Sequence, residues 1–184
     1  MQRSNGRPGW RLPTLIGCLA TLMLLLAGCA SAPATTEGMA ANSYDVVQQH
    51  RGTVAVQTSG GEEASLTHPA QISDAALAQA IEEAILASGV FDEVAPAADY
   101  RLSVQLFSLE QPTMGFSMSV HMEAGWTLTR LADDEIVWRE SISSSFAGGA
   151  FDAFSAVERI RLATEGAARR NIQEGIRKLS ELDL

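Results

Sequence analysis

The chain has 184 residues, with 22 Asp or Glu against 13 Lys or Arg and a formal net charge of −9 at pH 7. An acidic surface repels phosphate backbones, which excludes nucleic-acid binding through clustered cations. The acidity itself reads as solubility and points to no particular partner, while the length suffices for one ordinary domain with its own core.

Arg3, Arg7 and Arg11 precede an apolar or small-residue run from Thr14 to Ala27, and no acidic residue occurs before Cys29. The run falls short of the roughly 20 residues a helix needs to cross a bilayer. A basic start, a short apolar middle and a small-residue end read as a secretory signal over residues 1–28. The tetrapeptide Leu26-Ala27-Gly28-Cys29 resembles the lipobox of bacterial lipoproteins. The resemblance implies that the Cys29 thiol receives a diacylglyceryl group, that the signal is cut before it, and that the new amino end is acylated. Ala30 stands where an aspartate would be an inner-membrane retention cue in enterobacteria. The resemblance therefore favours the outer membrane, with the domain facing the periplasm. A single myristoyl-length chain binds only marginally, at about 0.8 kcal/mol per buried CH₂, whereas two or three on one cysteine hold. Cys18 leaves with the signal and Cys29 is spent on lipid, so no thiol remains for a disulfide, a zinc site or a nucleophile. Beyond Cys29, ten basic residues face all 22 acidic ones, a balance of −12.

Residues 30–43, "ASAPATTEGMAANS", show no apolar period and read as a flexible leash with a reach of roughly 20 Å. Tyr44 to Gln49 reads as a short lead-in, which puts the linker at 29–50 and a single domain at 51–184. Thr53 to Gln57 is expected to form the first strand, followed by a long loop through Ile72. Ser73 caps a helix with Asp74 in its first turn. Leu77, Ala80, Ile81, Ala84 and Ile85 share one face of that helix, and Gly89 ends it in a left-handed conformation. Val90, Phe91 and Val94 are expected to cover the helix end.

Tyr100 to Ser108 alternates, with Leu102, Val104 and Leu106 inward. "GFSMSVHMEAGWTLTR" alternates over its whole length, with Phe116, Met118, Val120, Met122, Ala124, Trp126 and Leu128 on one side. That period of two belongs to a strand. "ADDE" turns the chain, and Ile136 to Phe146 returns with Ile136, Trp138, Ile142 and Phe146 inward. If Leu128 and Trp138 both face the core, the loop holds an odd number of residues, three by preference, unless a bulge intervenes. Glu140 shares the core parity and is read as reaching water at a strand end or edge. Asp152 or Ser155 caps the last helix, the latter with Glu158 as a capping box. Its stripe of Val157, Ile160, Thr164, Ala168, Ile172, Ile176 and Leu179 runs to about Ser180. Gly166 and Gly175 weaken this helix by roughly 1 kcal/mol each and allow close approach to a neighbour.

The order β-α-β-β-β-α predicts an α+β two-layer sandwich: a mixed four-stranded sheet with two helices across one face and a Ser/Thr-rich face left open. In element order and lipobox, this layout resembles small envelope lipoprotein domains, among them the lipopolysaccharide-transport lipoprotein that plugs its outer-membrane barrel. The resemblance implies a fold more than a function.

The residues offer no catalytic constellation, no metal-ligand spacing and no cofactor motif. His50 and His68 fall in expected loops. Ser119, His121 and Glu123 share one strand face, but i and i+2 side chains stand roughly 7 Å apart, too far for nucleophile and base. Ser117, Ser119, His121, Glu123, Arg139, Ser141 and Ser143 are the candidate partner-binding face. Phe146, Phe151 and Phe154 flank Gly148 and Gly149 and are read as closing the core where the fourth strand meets the last helix, while the alternative makes Phe151 and Phe154 a candidate aromatic loop that grips a partner or dips into the membrane interface. The expected role is a non-catalytic accessory or assembly component of an envelope complex, tied to membrane lipid through Cys29 and contacting an envelope protein, with its oligomeric state open. The alternative is a lipid- or glycolipid-binding module with a cavity lined by Met118, Met122 and Trp126. An enzyme would have to rely on Glu123 and Glu140.

Overall fold

A computed structural model describes residues 32–65, 67, 68, 70–112, 118–149 and 152–184, all within the compact unit Ser31–Leu184. The elements in chain order are α1 (Thr36–Met39), β1 (His50–Ser59), α2 (Asp74–Ser88), β2 (Phe91–Val94), β3 (Tyr100–Glu110), β4 (Met118–Arg130), β5 (Glu135–Gly148) and α3 (Ala156–Leu179). One sheet holds all five strands in the order β2-β1-β3-β4-β5. The α+β class is as expected, but the sheet has five strands instead of four and there are three described helices instead of two.

The additional strand is Phe91–Val94, which pairs in parallel with β1 through His50↔Phe91 and Val54↔Val94. Asp92 and Glu93 point to water from this short edge strand, so it carries too little apolar period to be read locally. Residues 95–99 then carry the chain across β1 at Thr53. Asp99 accepts from the Thr53 N–H at 2.9 Å and from its hydroxyl at 3.0 Å, which holds the Asp99 carboxyl below its ordinary pKa. β3 continues parallel to β1, and β3, β4 and β5 form an antiparallel meander.

Helix α2 matches its sequence signals. Ser73 accepts from Ala76 N, Gly89 has φ 65°, and Leu77, Ala80, Ile81, Ala84 and Ile85 are buried. The inward residues of β3 and β4, from Leu102 to Leu106 and from Met118 to Leu128, are likewise buried. The hairpin differs in one respect. Leu128 and Trp138 both face the core as expected and pair with each other, but Thr129 pairs with Ile136, so Val137 is a bulge and four residues, 131–134, make the turn in place of three. The bulge reverses parity beyond Trp138. Ile136, expected in the core, therefore joins the open side and is 48% exposed.

Helix α3 starts at Ser155, which accepts from Glu158 N, and runs antiparallel to β5. Its glycines bring it against the sheet. A Cβ at Gly166 would lie 2.4 Å from the Phe146 ring, and one at Gly175 would lie 2.5 Å from the Trp126 ring. Trp126 Nε1 donates to Asn171 Oδ1 at 3.0 Å, and Asn171 Nδ2 donates to Ile142 O at 2.8 Å. One buried amide thus satisfies an indole on β4 and a carbonyl on β5.

The stretch expected to be a leash is docked over its described part. From its C-terminal end, Gln48 N donates to Ser180 O, Gln173 Nε2 to Ser43 O, Arg169 to Ala40 O and Gly38 O, and Thr35 N and Oγ1 to Glu165 Oε1. Arm and helix therefore run antiparallel. Met39 is fully buried and Glu165 is 2% exposed, its charge met by Thr35 and by Arg161. Gly38 makes room, since a Cβ there would fall 2.0 Å from Glu165 Cδ. His50, expected in a loop, opens β1 and is 7% exposed, with its Nε2 donating to Leu179 O at 2.8 Å.

Because Met39 fills the core shared by α1, α2 and α3, Met39→Ala is expected to cost about 2–5 kcal/mol in urea unfolding. A free leash would show no change.

Candidate functional site: the open face of the sheet

The helices cover one face of the sheet, and the other is left to side chains of opposite parity. Strand pairing arranges them in rows. His121 lies opposite Ser145, Glu123 opposite Ser143, Gly125 opposite Ser141, and Thr127 opposite Arg139. On the far side of β4, Gln105 faces Gly125 and Ser103 faces Thr127. Six of the seven residues expected on this surface, Ser119, His121, Glu123, Arg139, Ser141 and Ser143, are brought together here. All are exposed except Glu123, which is partly covered. Ser117 lies outside the described residues.

The interactions across the rows are short-range and polar. Ser141 Oγ donates to Glu123 Oε1 at 2.7 Å, and Arg139 Nε donates to Thr127 Oγ1 at 3.4 Å. Glu123 is thus engaged by a serine of the next strand. Glu140 takes the opposite side, where Lys178 of α3 is its ion-pair partner. Glu123 and Glu140, the pair on which an enzymatic reading would rely, are therefore separated by the thickness of the sheet. Among the described residues, no group of three or more His, Cys, Asp or Glu is placed to hold a metal ion.

Phe107 is a residue that sequence reasoning passed over. Leu106 pairs with Ala124 and Ser108 with Glu123, so Phe107 is the extra residue of a bulge and emerges on the open face, 55% exposed. Its ring lies over Gly125, where a Cβ would meet Phe107 Cζ at 2.4 Å. Beside it, Gln105, Thr127, Arg139 and Ser141 border an open groove of about 510 Å³. An aromatic at a polar-parity position, across from a glycine on the next strand, was the available signal. The surface can therefore offer hydrogen-bond donors and acceptors, the guanidinium groups of Arg101 and Arg139, the carboxylates of Glu110 and Glu123, and the ring of Phe107 on a flat frame.

Met118, Met122 and Trp126, expected to line a cavity under the lipid-binding alternative, are 3%, 2% and 0% exposed, and the Trp126 ring is in contact with α3 at Gly175. Of the candidate aromatic loop, Phe154 is fully exposed and Phe151 lies outside the described residues, as does Cys29. Phe146 packs on the helical side beneath Arg170, whose guanidinium lies 5.0 Å from the ring centre. No helix among the described residues is long and apolar enough to cross a membrane.

No protein-family model matches the chain, and no curated protein matches it in sequence. Solved structures share its fold. A Xanthomonas campestris protein of family DUF330 superposes with a TM-score of 0.62 at 14% identity, covering 82% of this chain and 94% of that one. A hypothetical protein from Chlamydia trachomatis gives 0.55 at 10% identity over 72% and 98% of the two chains. A PelC dodecamer from Paraburkholderia phytofirmans gives 0.50 at 14% identity over 76% and 95%. At these identities the likeness extends to the fold alone.

Gly125 and Gly175 face aromatic rings at similar distances but in different surroundings. Gly175→Val meets a fully buried Trp126 and is expected to cost about 1–3 kcal/mol. Gly125→Val meets an exposed Phe107 that can swing aside, at less than about 1 kcal/mol. Urea midpoints of the two variants compare the sites directly.

Proposed function

We propose that this protein is a lipid-anchored, non-catalytic component of the outer membrane whose periplasmic domain works by protein contact through the open face of β4 and β5. The observation that carries the reading is the placement of Ser119, His121, Glu123, Arg139, Ser141 and Ser143 on one uncovered face while all three described helices lie on the other. The lipobox-like Leu26-Ala27-Gly28-Cys29 supplies the anchor. β5 adds an edge strand of 14 residues, whose outward backbone groups and serines suit pairing with an extended segment of a partner. The engagement of Glu123 by Ser141, and of Glu140 by Lys178, favours recognition over general acid–base work.

Two measurements test this. Cys29→Ser is expected to move the protein from the membrane fraction to the soluble periplasm and to abolish the acyl mass. An unchanged membrane fraction removes the anchor from the proposal. A photo-crosslinking amino acid at Ser143 is expected to give a discrete adduct in cells, whereas one at Leu86, exposed on α2, is not. Equal labelling at both positions would remove the open face as the contact surface.

A further inference from the structure

The docked arm fixes where the anchor leaves the domain. Its residues climb α3 from Ser180 to Glu165 as the chain is followed back from Gln48 to Thr35, so the exit lies toward the N-terminal end of α3. Ala34 is docked, 5% exposed, with its N–H on Gln71 O at 3.0 Å. Only five peptide steps separate it from Cys29. Fully extended they span at most about 18 Å, and as a coil roughly 12 Å. β4 alone, at 13 residues, is roughly 40 Å long. The anchor therefore reaches only one end of the molecule.

That end is where β5 finishes, β4 begins and α3 starts. Gly148 pairs with Met118 and backs onto Arg159 O, while Gln111, just past β3, donates to Ala70 O and to Thr164 Oγ1. Phe154 stands immediately before the Ser155 cap and is fully exposed. Of the four other exposed large apolar side chains among the described residues, Phe107 lies over Gly125 on the open face and three belong to the opposite end. Val47 N donates to Ser180 Oγ, Leu86 is in the last turn of α2, and Ile136 adjoins the β4–β5 turn. Arg159, Arg161, Arg169 and Arg170 lie along the first part of α3, with Glu158 and Glu165 among them.

We infer that Phe154 and the N-terminal end of α3 rest on the lipid surface that carries the acylated Cys29, so that the strands stand on end and the β4–β5 turn points away from the membrane. This rests on the lipoprotein reading. An exposed aromatic held within tether reach of a bilayer gains by entering the headgroup and acyl boundary.

The test uses the full acylated protein in phosphatidylethanolamine–phosphatidylglycerol vesicles. With Cys29 acylated, Phe154→Cys or Ala132→Cys supplies the sole free thiol for an environment-sensitive dye. Both positions are exposed, so neither substitution disturbs packing. Emission at position 154 is expected to shift to the blue and to be quenched several-fold more strongly by spin-labelled lipid than emission at position 132. Equal quenching in protein that floats with the vesicles overturns the docking and leaves the anchoring intact. Protein that carries no acyl mass and does not float overturns the anchoring, and the docking with it.

Discussion

A sheet with a single apolar face has to be covered once and closely, and here the covering depends on how near α3 comes. Gly166 and Gly175 remove the Cβ atoms that would hold the helix away from Phe146 and Trp126. Between them Asn171 joins the Trp126 indole to the Ile142 carbonyl. A polar group in the interior is tolerable only when it is fully partnered, and this one ties the register of α3 to the last two strands of the meander. Because every described helix is committed to that side, the polar face stays open among the described residues.

The second layer of control is ionic and lies along α3. Glu165 is almost wholly buried and would be costly alone, but it receives Arg161 from its own helix and two donors from Thr35. Arg161 also meets Glu158, and hydrogen bonds from the guanidinium hold the Glu158 carboxyl below its ordinary pKa. Glu174 is lowered in the same way by Arg177. Groups depressed in this manner contribute stability above their ordinary pKa and lose it as pH falls through the lowered folded value. Two of the carboxyls whose stabilisation acid removes in this way, Glu158 and Glu174, lie on the helix that holds both the sheet and the arm.

Most of the frame was legible because its signals are local. Ser73, Gly89 and five apolar residues define α2 completely, and the alternation of β4 assigns each described residue to the correct face. The misreadings share a cause. A bulge at Val137 lengthens the hairpin turn and turns Ile136 outward, and another at Phe107 places an aromatic on the polar face, yet neither interrupts the composition of its strand. β2 is four residues long with two acids. The arm looks like a linker because its partners, Glu165 and Arg169, lie some 130 residues away, and no short window contains both halves. The partner of Glu140 was hidden in the same way, since Lys178 is 38 residues distant. The polar face was read from alternation, but alternation says nothing about what it binds.

The pairing of the arm with α3 joins segments some 130 residues apart. During synthesis the arm emerges early, while the helix that receives it is made much later. Until that helix is made, residues 35–48 lack most of their docking partners. Closure of the arm is then a late, long-range event in folding. A chain truncated before Ala156 would lose the seat that holds the arm against the domain.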